Sequence, residues 1–331
     1  MRSWAFKVAV GVLSVGLVAA GCGGKRTPTD TGSDNAGAPA CEAADGRLTI
    51  ATGNSGGVYY VVGGGLAKLI SDNTKLKATA AETGASVQNI QQLVAGDYDL
   101  AFSLADTAAD AVAGKGAFDG KPQQVQALTR LYPNYTQVLV RTDSGINSVA
   151  DMRGKRISTG SPKSGTEVIA QRLLTAAGLN PETDVQAQRL DLAKTADGMK
   201  DGSIDGLVWS GGLPTAQITD ITTSLKDKVK FIDITPQLDA LKKINPVYDR
   251  GTIPAATYGQ AEGVATVAVP NVLLVRSDFP EANACAITKL IYAKKADLEA
   301  VHPAAKDIRE EKAGMTDPVP LHPGSLDALG G

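Results

Sequence analysis

Short β-branched segments alternate with amphipathic helical patterns along most of this chain, and that alternation narrows the possible folds more than any other feature. A strand, a helix and a second strand in succession form the unit of parallel sheets with crossover helices. Leu48 to Ala51 (LTIA) reads as a strand, followed by a glycine-rich turn and a helix that lines up Val62, Leu66, Leu69 and Ile70. Val87, Ile90 and Val94 then repeat at helical spacing ahead of a strand from Asp99 to Phe102. The pattern returns with strands at Val138 to Val140 and Lys155 to Ser158, separated by a short helix beginning at SVADM. A helix from Thr166 to Ala177 carries Val168, Ile169, Leu173 and Leu174 along one face, and Gly206 to Trp209 and Phe231 to Ile234 read as further strands.

Two long extended segments, Gln137 to Arg141 and Val264 to Arg276, bracket the middle of the chain; Pro270 interrupts the second. An amphipathic helix follows, with Ala284, Ile287, Leu290, Ile291 and Leu298 at core spacing. The body from about residue 47 onward is roughly twice the commonest domain size, so two lobes are expected. If the long segments are the crossings, residues 47–140 and 264–331 build the first lobe and residues 141–263 the second. The expected fold class is α/β, each lobe holding a mainly parallel sheet flanked by helices, with a two-segment hinge near Val140 and Val267.

Ahead of this body, Arg2 and Lys7 precede an apolar run from Val8 to Ala20. That run is shorter than the ~20 residues a bilayer core demands, so it reads as the apolar region of a secretory signal, residues 1–21. The stretch LVAAGC resembles a bacterial lipobox, which makes Cys22 the expected lipid-bearing residue; Ala19 stands where that motif usually has Leu. A plain secretory signal cut nearby is the alternative. Residues 22–46 open with GGKRTPTDTGSDNAGAPA, which has almost nothing apolar to bury and reads as a tether. The expected location is therefore extracytoplasmic, at the membrane surface through an N-terminal lipid.

With Cys22 lipidated, Cys41 and Cys285 remain as one even pair in an oxidising compartment and are expected to bond, two separate buried thiols being the alternative. Loss of residues 1–21 removes two of 33 basic residues and leaves 31 against 35 acidic ones, a formal charge of −4. Nucleic acid is not an expected partner for such a surface.

Four strand ends carry glycines and small polar residues just before a helix: TGNSGG (Thr52 to Gly57), ETGAS (Glu82 to Ser86), SLAD (Ser103 to Asp106) and STGSPKSGT (Ser158 to Thr166). In open parallel sheets, ligands sit beyond the carboxyl ends of strands. Helix N-termini there offer unpaired N–H groups and partial positive charge, which suit a carboxylate or phosphate without any basic side chain. Each turn also has a purely structural reading. Ser164 with Glu167 fits a capping box, and the glycines fit tight turns.

GNSGG invites comparison with a hydrolase elbow, with Ser55 as nucleophile. That chemistry needs a base, and the chain has only His302 and His322, both ahead of prolines. GSPKSGT lacks the lysine that a phosphate-binding P-loop places just before its final Thr. Two distant histidines and no cysteine cluster give metal catalysis little support, and neither a cofactor nor an enzymatic activity is expected.

Read in order, these turns resemble the TAXI family, the extracytoplasmic solute receptors associated with TRAP transporters. The matching stretches are IATGNSGGVYYVVGGGLAKLI, TGASVQNIQQLVAGDYDLAFSLAD, LYPNYTQVLVRTDSGINSVADMRGKRISTGSPKSGTEVIAQRLLTAAGL, DGLVWSGGLP and PLHPG, which together span nearly the whole body. The resemblance implies a periplasmic-binding fold of the second type, small dicarboxylate or amino acid ligands such as 2-oxoglutarate, glutamate or glutamine, and delivery to an ion-driven membrane permease by a monomer. Carried over, the ligand contacts are Asn54, Ser55, Tyr59, Ser86, Ser103, Asp106 and Tyr132 from the first lobe. Ser161, Lys163, Ser164, Gly165, Thr166, Trp209 and Gly211 come from the second. Asn54, Lys163 and Trp209 depart from the family's usual residues, which leaves the ligand's identity open; Lys163 reads either as an added cation or as a solvated loop lysine, and Tyr59 and Trp209 also fit as core aromatics. A receptor that hands its closed form to a sensor histidine kinase is the alternative role.

Overall fold

The computed structural model describes residues 41–330, so the expected signal, the Cys22 lipid site and most of the tether lie outside the described residues. In chain order the elements are β1 (Gly46–Ala51), α1 (Val58–Asn73), β2 (Leu76–Ala81), α2 (Ser86–Ala95), β3 (Leu100–Leu104), α3 (Ala105–Ala113) and β4 (Val125–Arg141). The middle of the chain supplies β5 (Arg156–Ser158), α4 (Gly165–Ala176), β6 (Gln186–Gln188), α5 (Leu192–Asp201), β7 (Gly206–Gly211), α6 (Ala216–Leu225), β8 (Val229–Phe231), α7 (Leu238–Ile244) and β9 (Asp249–Ile253). The last stretch is β10 (Val264–Arg276), α8 (Glu281–Ala293), α9 (Lys295–Val301) and α10 (Pro323–Ala328). Among the described residues, no helix is long and apolar enough to cross a membrane.

The strands lie in the order β2-β1-β3-β10-β4-β7-β5-β6, with β8 beside β4 and β9 beside β10. Parallel pairs occupy both ends of this path, β2-β1-β3 at one and β7-β5-β6 at the other. Between them β4 and β10 run antiparallel to each other and to their neighbours. The α/β reading therefore holds, and each end has its own parallel sheet.

The two long strands join the ends by changing partners along their length. Leu104 to Ala101 of β3 pair with β10 at Asn271 to Leu274, whereas β9 pairs with its Val264 to Ala268. In the same way β7 pairs with β4 only from Tyr135 to Val140. Between these stretches Pro133 and Pro270 stand opposite each other in register. Neither proline donates an N–H, so the ladder is weakest there, and a register shift follows Pro270. The pairing of both long strands thus changes near Asn134 and Pro270, a point that a β-rich run does not reveal.

Local packing explains several elements. In α1, Val62, Leu66, Leu69 and Ile70 are buried as expected, although Gly63, Gly64 and Gly65 are poor helix formers. Gly63 is tolerated because the helix lies hard on β1: a Cβ there would sit 2.4 Å from Thr52 Cγ2. In α2 the inward positions are Val87, Ile90 and Leu93, whereas Val94 is exposed. The single helix expected near the end is divided into α8 and α9.

Cys41 and Cys285 form a disulfide, with Cα atoms 5.1 Å apart and 244 residues between them in sequence. Closing so long a loop removes much of the unfolded chain's freedom, roughly 2 to 5 kcal/mol. Cys41→Ala should therefore lower the melting temperature by several degrees, read by calorimetry against the parent with and without a reductant.

Candidate functional site

The carboxyl ends of β1, β2, β3 and β7 face the start of α4 across a shared cavity of about 30 Å3, room for about two water-sized molecules. The first lobe contributes Asn54 and Tyr59 from the β1–α1 turn, Gly84, Ala85 and Ser86 ahead of α2, and Leu104 at the end of β3. Opposite them stand Ser164, Gly165 and Thr166 at the start of α4, with Trp209 to Gly212 at the end of β7. Asn134, at the point where β4 changes partners, closes the floor.

Three helices begin at this cavity. The caps of α1 and α2 are Gly57 and Ala85, neither of which caps its helix through a side chain. Among the described residues, no group accepts from the N–H of Val58 and Tyr59, of Ser86 and Val87, or of Gly165 and Thr166. Ala85 holds φ at 83°, a conformation that suits glycine and costs an alanine about 1 to 3 kcal/mol. The strain sits where the chain must turn its amides toward the cavity.

The hydroxyls of the wall are already acceptors. Ser86 Oγ takes the Leu104 N–H at 3.1 Å, Ser164 Oγ takes the Glu167 N–H at 3.0 Å, and Thr166 Oγ1 takes the Ser210 N–H at 3.2 Å. Ser164 and Thr166 each have a proton left to donate, whereas Ser86 also bonds to the Tyr59 hydroxyl. Ser210 Oγ is buried and has no partner. The amide oxygens each hold one donor: Asn54 Oδ1 accepts from Ser161 Oγ at 3.0 Å, and Asn134 Oδ1 accepts from Asn271 Nδ2 at 2.8 Å. No acidic or basic side chain lines the cavity.

The aromatics are held by their polar tips. Tyr59 donates to Asn271 Oδ1 at 2.5 Å and packs on Phe102 with ring centroids 5.2 Å apart. Burial holds its phenol well above the usual range, so it stays a neutral donor. Trp209 donates Nε1–H to Thr215 Oγ1 at 3.2 Å. Both are core aromatics with one face on the cavity.

Of the expected contacts, Asn54, Tyr59, Ser86, Ser164, Gly165, Thr166, Trp209 and Gly211 come together around the cavity. Six others stand outside its wall. Ser55 is exposed, its N–H bound to Glu82 Oε1 at 2.8 Å. Ser103 is buried and donates to the Leu104 carbonyl; a strand alternates faces, so it is Leu104 that meets the cavity. Tyr132 is fully buried, with its hydroxyl unpartnered. Ser161 touches Asn54 across the cleft. The cation expected from Lys163 points elsewhere: its Nζ donates to Gln91 Oε1 at 3.2 Å on an exposed surface.

Asp106 is the clearest correction. Its carboxylate, fully buried, is committed to Arg172 of α4 at 2.9 Å and to the Tyr248 hydroxyl. Arg172 also grips Asp110, whose carboxyl burial pushes above the usual range even beside that guanidinium. These bonds join α3 to α4 and so tie one lobe to the other. A second tie is the Gln88 N–H to the Lys163 carbonyl at 3.0 Å.

The readings missed Ser210, Gly212 and Asn134, although all three lie inside or beside motifs that drew attention. Asn134 lies two residues beyond Tyr132 on the same face, so the place along the strand and not its parity decides which of the two meets the cavity.

Residues 50–328 match the model of the NMT1-like family. Among solved structures, the binding protein component of an ABC phosphonate transporter from Pseudomonas aeruginosa is similar at a TM-score of 0.53 and 11% identity, covering 79% of each chain. A protein from Bordetella bronchiseptica RB50 is similar at a TM-score of 0.52 and 19% identity, covering 86% of this chain and 80% of that one. Both are likenesses of fold.

Proposed function

We propose, on the premise that the chain belongs to the NMT1-like family, that it is an extracytoplasmic solute receptor whose two lobes close around a small anion. One observation carries this reading. Three helix starts with free N–H groups, and hydroxyls with protons to give, converge from both lobes on one buried cavity. Each helix start contributes about 0.3 to 1 kcal/mol toward a negative charge, and more where water is excluded. The cavity has room for about two waters, so a solute as large as a small dicarboxylate requires the lobes to stand further apart than they do here.

The hinge in this reading is Asn134 and Pro270, where both long strands exchange partners. Solute that touches both lobes favours the closed state by the contacts it makes only there. The resemblance to the TAXI family supplies the finer terms: a dicarboxylate or amino acid such as 2-oxoglutarate or glutamate, delivery to a TRAP-type permease, and a lipid on Cys22 that keeps a monomeric body at the membrane. Signalling to a histidine kinase would use the same closure. A permease gene beside this one favours transport, and a kinase gene favours signalling.

The hydrolase reading has no histidine to offer Ser55 as base. The His302 ring is bound to the Pro214 carbonyl and the Ala304 N–H, and the His322 ring to the Phe279 carbonyl and the Gly324 N–H. Burial also holds both imidazoles below their usual range.

A thermal-shift panel of small carboxylates, amino acids and short phosphonates tests the receptor reading. Saturation at a hundredfold over Kd stabilises the folded form by about 2.7 kcal/mol, a shift of several degrees. A panel in which no anion moves the melting temperature would remove the basis for the proposal.

A further inference from the structure

We infer that the solute this cavity selects is an anion without an ammonium group, so that a carboxylate is preferred to the amino acid of the same skeleton. The inference rests on the receptor reading and narrows its substrate class. An amino acid presents two demands at once: acceptors on its carboxylate and three donors on its ammonium. The wall meets only the first.

The imbalance follows from the bonds that hold the closed form together. Ser164 and Thr166 have each spent a lone pair on a backbone N–H and keep a proton to donate. Ser210 Oγ, 6% exposed as a residue, has no partner, and a hydroxyl on an anion's oxygen would satisfy it. No carboxylate lines the wall to receive an ammonium, and several of its neutral oxygens already hold a donor. Asn54 Oδ1 holds Ser161, Asn134 Oδ1 holds Asn271, and the carbonyls of Gly53, Asn54 and Ala85 hold Thr83, Gly57 and Asn89. Asp106, an acid at the end of the neighbouring turn, is neutralised by Arg172 and stands outside the wall. An ammonium closed into this cavity would meet no opposite charge, and a buried charge without one is heavily penalised.

Matched pairs that differ only at one carbon read this directly: 2-oxoglutarate against L-glutamate, and pyruvate against L-alanine, by thermal shift and titration calorimetry on the full body. The oxo acid should bind at least tenfold more tightly within whichever pair binds. Ser164→Asp provides the converse, since aspartate caps α4 as well as serine does but brings a carboxylate to the wall. That variant should fold normally, weaken the oxo acid at least tenfold and narrow or reverse the preference. An amino acid that binds as tightly as its oxo counterpart would overturn the inference and leave the receptor reading standing. Failure of every anion, with the parent protein folded, would overturn the receptor reading itself.

Discussion

Arg172→Ala should open the protein and weaken solute binding about a hundredfold. Among the described residues, Arg172 is the only side chain that pairs with both Asp106 and Asp110, and it reaches them from the other lobe. Without it the Asp106 carboxylate, 0% exposed in its side chain, faces closure as a buried charge with no cation beside it, supported only by neutral donors from Thr107 and Tyr248. Breaking one partner of a buried pair costs about 3 to 5 kcal/mol, and the lobes can avoid that cost by staying apart. Small-angle scattering should then show a larger radius of gyration without solute, and calorimetry a lower affinity. Replacing the cluster as a whole, by Arg172→Met with Asp106→Asn and Asp110→Asn, leaves no stranded charge and should recover most of the closure. If Arg172→Ala remained as compact as the parent, the ion cluster would not be what ties the lobes.

The second large effect is expected at Gly165, the first residue of α4. An added Cβ would fall 2.5 Å from Leu104 Cδ1 and 2.7 Å from Ser86 Oγ, both in the opposite lobe. Gly165→Ala is in itself a better helix residue by about 1 kcal/mol. The opposing effects separate cleanly. The open protein should melt no lower than the parent, while solute affinity falls by two orders of magnitude or more because the methyl holds the lobes apart. An unchanged affinity would show that closure does not bring Gly165 against Leu104.

Both predictions depend on contacts that no local pattern announced. Asp106 read as a ligand contact because it follows a strand end, in the position where such receptors hold their solute. Its real partner is 66 residues away on a helix face, and a charged residue on that face looks the same in sequence whether it meets solvent or another lobe. Lys163 posed the same problem in reverse. At φ 61° the backbone turns its side chain toward Gln91, a direction set by the turn and not by the charge.

Ser103 and Tyr132 illustrate a finer limit. The reading found the correct strand ends, but a strand shows alternate faces to alternate residues. At Ser103 one position decides between core and cavity, so Leu104 occupies the wall instead; Tyr132 shares a face with Asn134, and there the place along the strand decides. That choice follows from register, which pairing across the sheet fixes.

The sequence by itself determined the class of fold, the glycine-rich turns at helix starts and the cysteine pair, because these depend on local periodicity, backbone permissiveness and order along the chain. Tertiary structure decided which hydroxyls face the cavity, where the long strands change partners and which charges tie the lobes. Those depend on register and on distances between residues far apart in the chain. The donor-rich character of the wall belongs to the second kind, since a serine is a donor or an acceptor only once its neighbours have taken what they need.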